Sequence, residues 1–126
     1  MTEVRVLVVD DQPPFRRAAE AVVEAMDGFT VVGSAESGEE AVRLAGELRP
    51  DLVLLDVNLP AMSGTETCRH LARQEPAPIV LLVSTYDPAE WAEDVAECGA
   101  AGYLRKSDFG PDRLLELWQL LGRMVE

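Results

Sequence analysis

The sequence predicts an α/β domain with a parallel five-stranded sheet between two layers of helices. Five short apolar runs rich in β-branched residues alternate with amphipathic stretches, an order typical of parallel sheets. The third and fourth runs are almost unbroken in apolar residues, as expected of strands covered on both faces. A length of 126 residues matches one ordinary domain with a core of its own.

The predicted strands are residues 4–9, 30–35, 52–56, 79–84 and 102–104. Because parallel strands are joined by right-handed crossovers, their alternation with helices leaves few topologies, and we predict the flavodoxin-like order 2-1-3-4-5. The sequence contains no internal repeat and no linker-like tract. We therefore expect residues 1–126 to form a single domain with its core at about 4–124.

The first two helices follow from apolar spacing and capping residues. Apolar side chains recur at i, i+3, i+4 and i+7 from Phe15 to Met26, and we expect this helix to end at Gly28. Ser37 with Glu40 forms a capping-box pattern, which opens a second helix that stops before proline 50.

The remaining helices have similar start signals. Ser63 with Glu66 repeats the capping box ahead of the third helix. An Asp-Pro pair opens a fourth helix over about residues 87–98, and Pro111 at the first helical position opens a fifth.

Composition excludes several classes of function. Twenty-three acids against eleven bases give a net charge of −12, which disfavours nucleic-acid binding by this domain. No apolar run approaches the ~20 residues that span a membrane, and the first residues have no signal-peptide organisation. Two cysteines, Cys68 and Cys98, have no metal-like spacing and are expected to be reduced. A cytoplasmic location is the default expectation.

Polar residues follow the predicted strands where each strand ends. Asp10 and Asp11 follow the first, Asp56 closes the third, Ser84 and Thr85 lie at the end of the fourth, and Lys106 lies just beyond the fifth. The carboxyl ends of parallel strands meet at one edge, where open α/β sheets bind ligands. Three carboxylates there would repel one another without a cation, and Mg²⁺ with phosphate oxygens fits best. A lysine and a hydroxyl opposite the metal outline a phosphoryl-sized cavity.

Each of these residues also has a simpler explanation. Asp11 alone is as readily a helix cap, and Asp56 alone could begin a turn. Ser84 alone is more often a hydroxyl bonded to backbone, and Lys106 alone a solvated surface lysine. Their coincidence at the carboxyl ends of four of the five strands favours one site.

The chain resembles the receiver domain of bacterial two-component response regulators from residue 4 to about 121. The matching segments are residues 6–11, 54–64, 84 and 99–106. The resemblance implies a phosphorelay domain that accepts a phosphoryl group from a histidine kinase or phosphotransfer protein, with Mg²⁺ or Mn²⁺ as cofactor. It implies catalysis only of its own phosphorylation and slow dephosphorylation, so the chain is not expected to be an enzyme acting on other substrates.

The resemblance also assigns roles to residues of the site. Asp56 is implied as the phosphoacceptor, and Lys106 as the partner of a phosphoryl oxygen. Asp11 is implied as a direct metal ligand, Asp10 as a ligand largely through water, and Asn58 as a ligand through its backbone carbonyl.

Switching and tuning roles are implied for four residues. Ser84, where threonine is commoner, would move to bond the phosphoryl group, and Tyr103 would swing inward behind it. The simpler interpretation of Tyr103 is half-buried packing. Asn58 and Tyr86 occupy the variable positions that flank the phosphorylation site. We expect Tyr86 to shield the acyl phosphate from water and slow its hydrolysis. The acyl phosphate of Tyr86→Ala should therefore hydrolyse faster.

The implied output surface is the face of the fourth helix, fifth strand and fifth helix, which would control a partner or output domain and could form a homodimer on activation. Residues 12–16 and 102–107 are similar to receivers of the nitrate-response type, which precede a DNA-binding domain. The chain is thus either a stand-alone receiver or an excised domain.

The apolar fifth helix either leaves a stripe for a partner, to which Trp91 could contribute, or mostly faces the sheet. Lys106 is followed by Ser107 where many receivers have proline, so its loop is expected to differ.

Two other hypotheses remain. A phosphatase of the haloacid dehalogenase type also uses a strand-end aspartate and Mg²⁺, but it needs an acid two residues later, where this chain has Asn58. An atypical receiver that only docks would not need Asp10, Asp11, Asp56, Ser84 and Lys106 together.

Overall fold

The computed structural model of the chain describes residues 3–85 and 97–122, and its sheet has the predicted topology. The strands are β1 (Val4–Val9), β2 (Phe29–Ala35), β3 (Leu52–Asp56), β4 (Ile79–Ser84) and β5 (Gly102–Arg105). All neighbouring pairs are parallel, in the order β2-β1-β3-β4-β5. The second and fifth strands each extend one residue beyond the prediction.

Four helices are described, and each is one of the predicted helices. They are α1 (Pro13–Ala25), α2 (Gly38–Leu48), α3 (Gly64–Ala72) and α4 (Pro111–Gly122). The helix α4 is the fifth helix of the prediction. The fourth predicted helix falls mainly on residues outside the described part of the chain, although Glu97 and Cys98 at its end are helical.

Both predicted capping serines act as N-caps. Ser37 Oγ accepts the backbone N–H of Glu40, and Ser63 Oγ accepts that of Glu66, each at 3.2 Å. The Glu40 carboxylate in turn accepts the N–H of Glu36 at 2.9 Å. These bonds satisfy donors that a helix start would leave unpaired.

The predicted end of the first helix is wrong. Helix α1 ends at Ala25, and Met26 has extended backbone angles, with φ −88° and ψ 131°. Gly28, with φ +83°, lies in the following turn, where its carbonyl accepts the N–H of Val4 at 2.7 Å. Apolar spacing continued to Met26 because this side chain still packs against the core, although its backbone has left the helix.

The core consists of two clusters, one on each face of the sheet. Alternate residues of a strand enter different clusters: Leu7 and Val53 pack with α2 and α3, whereas Val6 and Leu54 pack with α1 and α4. The central strands β3 and β4 are therefore apolar on both faces up to their last residue, so packing does not explain the charged residue at the end of β3.

Helix α4 buries most of its apolar stripe against the sheet. The buried or half-buried side chains are Leu114, Leu117, Trp118 and Leu121. Leu115 is 41% exposed and Leu120 is 54% exposed. Both cysteines, Cys68 and Cys98, are buried and are not joined by a disulfide. Within the described ranges, no helix has the length and apolar character needed to cross a membrane.

Candidate functional site

The three predicted acids come together at the carboxyl edge of the sheet. One carboxylate oxygen each from Asp10, Asp11 and Asp56 lies within 4.8 Å of the others. Asp10 is 2% exposed and Asp56 is 4% exposed, whereas Asp11 lies at the surface. The first pair follows β1 and the third acid ends the adjacent strand β3, so the sheet order itself produces the cluster.

Backbone contacts fix the position of Asp56. The N–H of Asn58 donates to Asp56 Oδ1 at 3.2 Å, and the N–H of Val57 donates to the carbonyl of Val83 at 3.1 Å. The N–H of Gly64, at the start of α3, donates to the carbonyl of Val57 at 2.9 Å. A Cβ at Gly64 would collide with the backbone of Asp56 and Val57, so this close approach requires glycine.

Asp10 is held by the first turn of α1. Its Oδ1 accepts the N–H of Gln12 at 2.8 Å, and its carbonyl accepts Nη1 of Arg16 at 2.9 Å. Nη2 of Arg16 lies 3.2 Å from the carboxylate of Glu36, which follows β2. The arginine therefore ties the loop that carries the acids to the neighbouring strand connection.

Lys106 points into the acidic cluster. Its Nζ lies 2.8 Å from Asp10 Oδ2, 3.6 Å from Asp56 Oδ2 and 3.4 Å from Gln12 Oε1. Its side chain is 11% exposed, so it is not a solvated surface lysine. A single turn of 3₁₀ helix over Lys106–Asp108 starts directly after β5. The loop with Ser107 in place of proline thus still brings the ammonium group to the acids.

The remaining predicted residues lie around this cluster. Ser84 ends β4 and is fully buried beside the site strand β3. Tyr103 is half-buried and packs against the core cluster on the α2–α3 side. Asn58 is exposed in the loop after β3. Tyr86 and Trp91 lie outside the described residues.

A small polar cavity opens above these side chains. It has a volume of about 170 Å³. The lining residues are Asp11, Gln12, Asp56, Asn58, Thr85 and Lys106. The cavity therefore combines negative charge from two acids with one ammonium group, at the scale of a small anion and its counter-ion.

The surroundings of Asp56 shift the pKa of its carboxyl group. Burial, together with the nearby Asp10 and Asp11 carboxylates, raises the pKa of Asp56 from 3.8 to about 6, and Lys106 and the Asn58 N–H oppose the rise. A partly desolvated carboxylate beside a fixed ammonium group suits a nucleophile that receives an anionic group.

The donor set fits Mg²⁺. All three side chains offer hard oxygen ligands. Oδ2 of Asp10 is buried, and the Lys106 ammonium group, 2.8 Å away, is its one polar partner among the described residues. Oxygen atoms within 4.8 Å of one another are close enough for a single Mg²⁺ to be held by them, directly or through water.

Sequence reasoning missed two residues of the site. Gln12 lines the cavity, and Arg16 holds the Asp10 carbonyl. Thr85, which the sequence places with Ser84 at the end of the fourth strand, also lines the cavity. Nothing local marks Arg16, because its role depends on the fold of α1 against β2.

The fold and the pocket define an open α/β sheet protein with an acidic, lysine-containing pocket at the carboxyl edge, where such sheets bind ligands. The sequence matches the family described as the response regulator receiver domain over residues 6–119. The chain belongs to this family. Receiver domains bind Mg²⁺ at an acidic pocket and interact with histidine kinases and output domains.

Three relatives illustrate the match. The transcriptional regulatory protein YdfI of Bacillus subtilis is 40% identical over 81% of this chain and 47% of its own length. A protein-glutamate methylesterase/protein-glutamine glutaminase of Alkalilimnicola ehrlichii is 39% identical over 91% of this chain and 28% of its own length. The signal receiver domain of the putative response regulator NarL from Mycobacterium tuberculosis superposes with a TM-score of 0.85 at 31% identity, covering 94% of this chain and 98% of that one.

The chain spans half or less of the length of these two curated relatives. The methylesterase matches through its receiver domain, so this similarity does not make the chain an esterase. The chain is a receiver domain of two-component response regulators, and its homologues include regulators of the LuxR and NarL type.

Proposed function

We propose that this receiver accepts a phosphoryl group on Asp56 from a histidine kinase or phosphotransfer protein. The observation that carries the proposal is the buried Asp56 carboxylate, whose Oδ2 lies 3.6 Å from Lys106 Nζ at a cavity of about 170 Å³. An Asp56 oxygen attacks phosphorus, the bond from phosphorus to the donor imidazole nitrogen breaks, and the imidazole keeps the electron pair and takes up a proton. The product is an acyl phosphate.

The surrounding residues serve this transfer. Lys106 neutralises a phosphoryl oxygen, and Ser84 donates its hydroxyl to another once the phosphoryl group is present. Asp11 would hold Mg²⁺ directly, Asp10 largely through water, and Asn58 through its backbone carbonyl. When bound, Mg²⁺ offsets the charge of the three carboxylates and of the phosphoryl oxygens.

Phosphorylation then changes the output face. A phosphoryl group brings nearly two negative charges to a loop already linked to β5 through Lys106, and it biases that loop between two states. Ser84 and Tyr103 act as the switch, and the face of the fourth predicted helix, β5 and α4 controls a partner or output domain. Two leucines of α4, Leu115 and Leu120, are exposed, and this apolar surface could support a homodimer on activation.

The wider setting is proposed on the same basis. Residues 4–124 act as one receiver unit in the cytoplasm, where the chain catalyses its own phosphorylation and slow dephosphorylation but no reaction on unrelated substrates. The unit does not bind nucleic acid itself, because its net charge is −12. The tuning roles of Asn58 and Tyr86 stay predictions, and Tyr86 falls in the segment that the structure does not describe.

The test is incubation with acetyl phosphate and Mg²⁺, followed by intact mass, with beryllofluoride binding followed by Trp fluorescence. We expect a single phosphoryl adduct in the wild type that disappears with EDTA and in Asp56→Asn. Asp51→Asn is the matched control, since Asp51 is an exposed acid just before the same strand, and its adduct should persist.

Each other outcome contradicts the proposal in its own way. Loss of the adduct in Asp51→Asn as well as in Asp56→Asn would assign the effect to folding. Repeated turnover of unrelated phosphomonoesters would indicate a phosphatase, although Asn58 supplies a backbone N–H to Asp56 rather than the acid that such enzymes need. The absence of any adduct, or of any response to beryllofluoride, would indicate a docking module.

A further inference from the structure

The ammonium group of Lys106 lies over an aromatic ring. Its Nζ is 4.5 Å from the ring centroid of Phe15, in the first turn of α1. Phe109 meets the same ring edge to face, with centroids 5.6 Å apart and an interplanar angle of 63°. The lysine is therefore enclosed by the carboxylates on one side and an aromatic face on another.

This contact restricts the position of the Lys106 side chain. A lysine side chain is long and flexible, and ordering it loses rotamer entropy. The negative face of a phenyl ring attracts a cation and favours one placement of Nζ. The ring does this without neutralising the charge, so the ammonium group stays available to a phosphoryl oxygen.

The ring itself is well anchored. Two prolines occupy the first positions of α1 and preset the backbone directly before Phe15. The next residue, Arg16, donates Nη1 to the carbonyl of Asp10 at 2.9 Å. The aromatic face and the acid that pairs with Lys106 are thus held by the same turn.

Phe109 links the ring to the lysine's own loop. Its N–H donates to the carbonyl of Lys106 at 3.2 Å and closes the 3₁₀ turn, while its side chain packs on Phe15. The Phe15–Phe109 pair therefore contacts both the backbone of Lys106, through the Phe109 N–H, and its ammonium group, through the Phe15 ring.

We propose that Phe15 is a positioning residue for phosphoryl transfer, which acts by holding the Lys106 ammonium group over the cavity, with Phe109 supporting the ring. The proposal rests on the proposed function of Asp56 and Lys106. Phe15 does not line the cavity and touches no reacting atom; it acts through the lysine.

The first test compares Phe15→Leu with Phe15→Tyr and Phe29→Leu in the rate of phosphorylation by acetyl phosphate. We expect Phe15→Leu to slow the reaction roughly three- to tenfold and Phe15→Tyr, which keeps a ring, to restore it. Phe29 belongs to the same core cluster and contacts Trp118 rather than Lys106. Phe29→Leu should therefore reduce stability without slowing the reaction, and equal slowing in both leucine variants would overturn the proposal.

A double-mutant cycle shows whether Phe15 acts through the lysine. Phe15→Leu is introduced into wild type and into Lys106→Met, and the residual phosphorylation rates are compared. We expect the change at Phe15 to have little further effect once the lysine is absent. The same fold-loss in both backgrounds would overturn the proposal.

A structural readout separates this proposal from the function of the site. NMR of the Mg²⁺-free protein should place the Lys106 Hε protons upfield through the ring current of Phe15, and the shift should vanish in Phe15→Leu and remain in Phe15→Tyr. No phosphoryl donor is needed. A normal shift in wild type would overturn the positioning role, whereas a missing adduct on wild-type Asp56 would overturn the proposed function while leaving the shift in place.

Discussion

Asp56 occupies a position that reduces the stability of the folded chain whenever its carboxyl group is ionised. The side chain is 4% exposed, and burial together with Asp10 raises its pKa to about 6. One pKa unit corresponds to about 1.4 kcal/mol, so ionisation in the fold costs about 3 kcal/mol relative to an unfolded chain. Packing cannot account for such a residue, because an apolar side chain would suit the end of β3 better.

The residue-scale prediction concerns Asp56→Asn in EDTA. The raised pKa means that the folded wild type holds its proton more tightly than the unfolded chain, so the associated stability is present below about pH 4 and is lost as pH rises through about 6. Asparagine does not ionise. Chemical denaturation should show that the free energy of unfolding of Asp56→Asn exceeds that of wild type by about 1 to 3 kcal/mol at pH 7.5 and by little at pH 4.

Wild type and Asp56→Asn share all other titrating groups, so the difference between their free energies of unfolding reports on Asp56 alone. Asp51→Asn serves as the control for removing one negative charge from a strongly acidic chain. A difference that stays constant between pH 4 and pH 7.5 would contradict the assigned cause.

The site residues that could be predicted are those at strand ends. Asp10, Asp56, Ser84 and Lys106 were predictable because the polarity of a parallel sheet brings the carboxyl ends of strands together whatever the sequence between them. Phe15 and Arg16 were not predictable, since both read as ordinary members of an amphipathic helix. Their roles depend on contacts with residues far away in the chain, which no local pattern records.

At the scale of elements, the junction between β3 and α3 sets how closely the helix approaches Asp56. The N–H of Gly64 bonds to the carbonyl of Val57 at 2.9 Å, and a Cβ at Gly64 would meet the backbone of Asp56 and Val57. Backbone cannot yield as a flexible side chain does, so a larger residue there must displace the loop after Asp56.

A pair of glycine substitutions tests this junction. Gly64→Ala should destabilise the chain by about 2 kcal/mol or more and slow phosphorylation, because the collision is with backbone. Gly46→Ala lies inside α2 and meets only the side-chain nitrogen of Gln74, at 4.0 Å. It should stabilise the chain by roughly 0.5–1 kcal/mol through helix propensity. Thermal unfolding and acetyl phosphate labelling measure both, and equal effects of the two substitutions would contradict the role of Gly64.

Helix starts were predictable and one helix end was not, for a physical reason. Ser37 and Ser63 cap through local hydrogen bonds that the sequence itself encodes. The end of α1 depends on how Met26 and Gly28 turn the chain to place β2 beside β1, with the Gly28 carbonyl bonded to Val4. That turn is decided by the partner strand.

At the scale of the whole molecule, folding creates the acidic cluster. Asp10 and Asp11 follow β1 and Asp56 ends β3, so their carboxylates approach within 4.8 Å only when the sheet is assembled. A cation that needs all three binds the folded chain and not the unfolded one. Repulsion within the cluster adds to that of a chain with net charge −12.

Mg²⁺ should therefore stabilise the whole domain. At about 100 times its dissociation constant, Mg²⁺ contributes about 2.7 kcal/mol, which for a chain of this size raises Tm by roughly 10 °C. Calorimetry with a Mg²⁺ titration measures the shift, and NaCl at matched ionic strength accounts for screening of the acidic surface. Asp11→Asn should lose most of the Mg²⁺-specific part, whereas Asp51→Asn, with the same charge change outside the cluster, should keep it. An undiminished shift in Asp11→Asn would mean that Mg²⁺ acts on the acidic surface in general, and that the cluster is not the binding site.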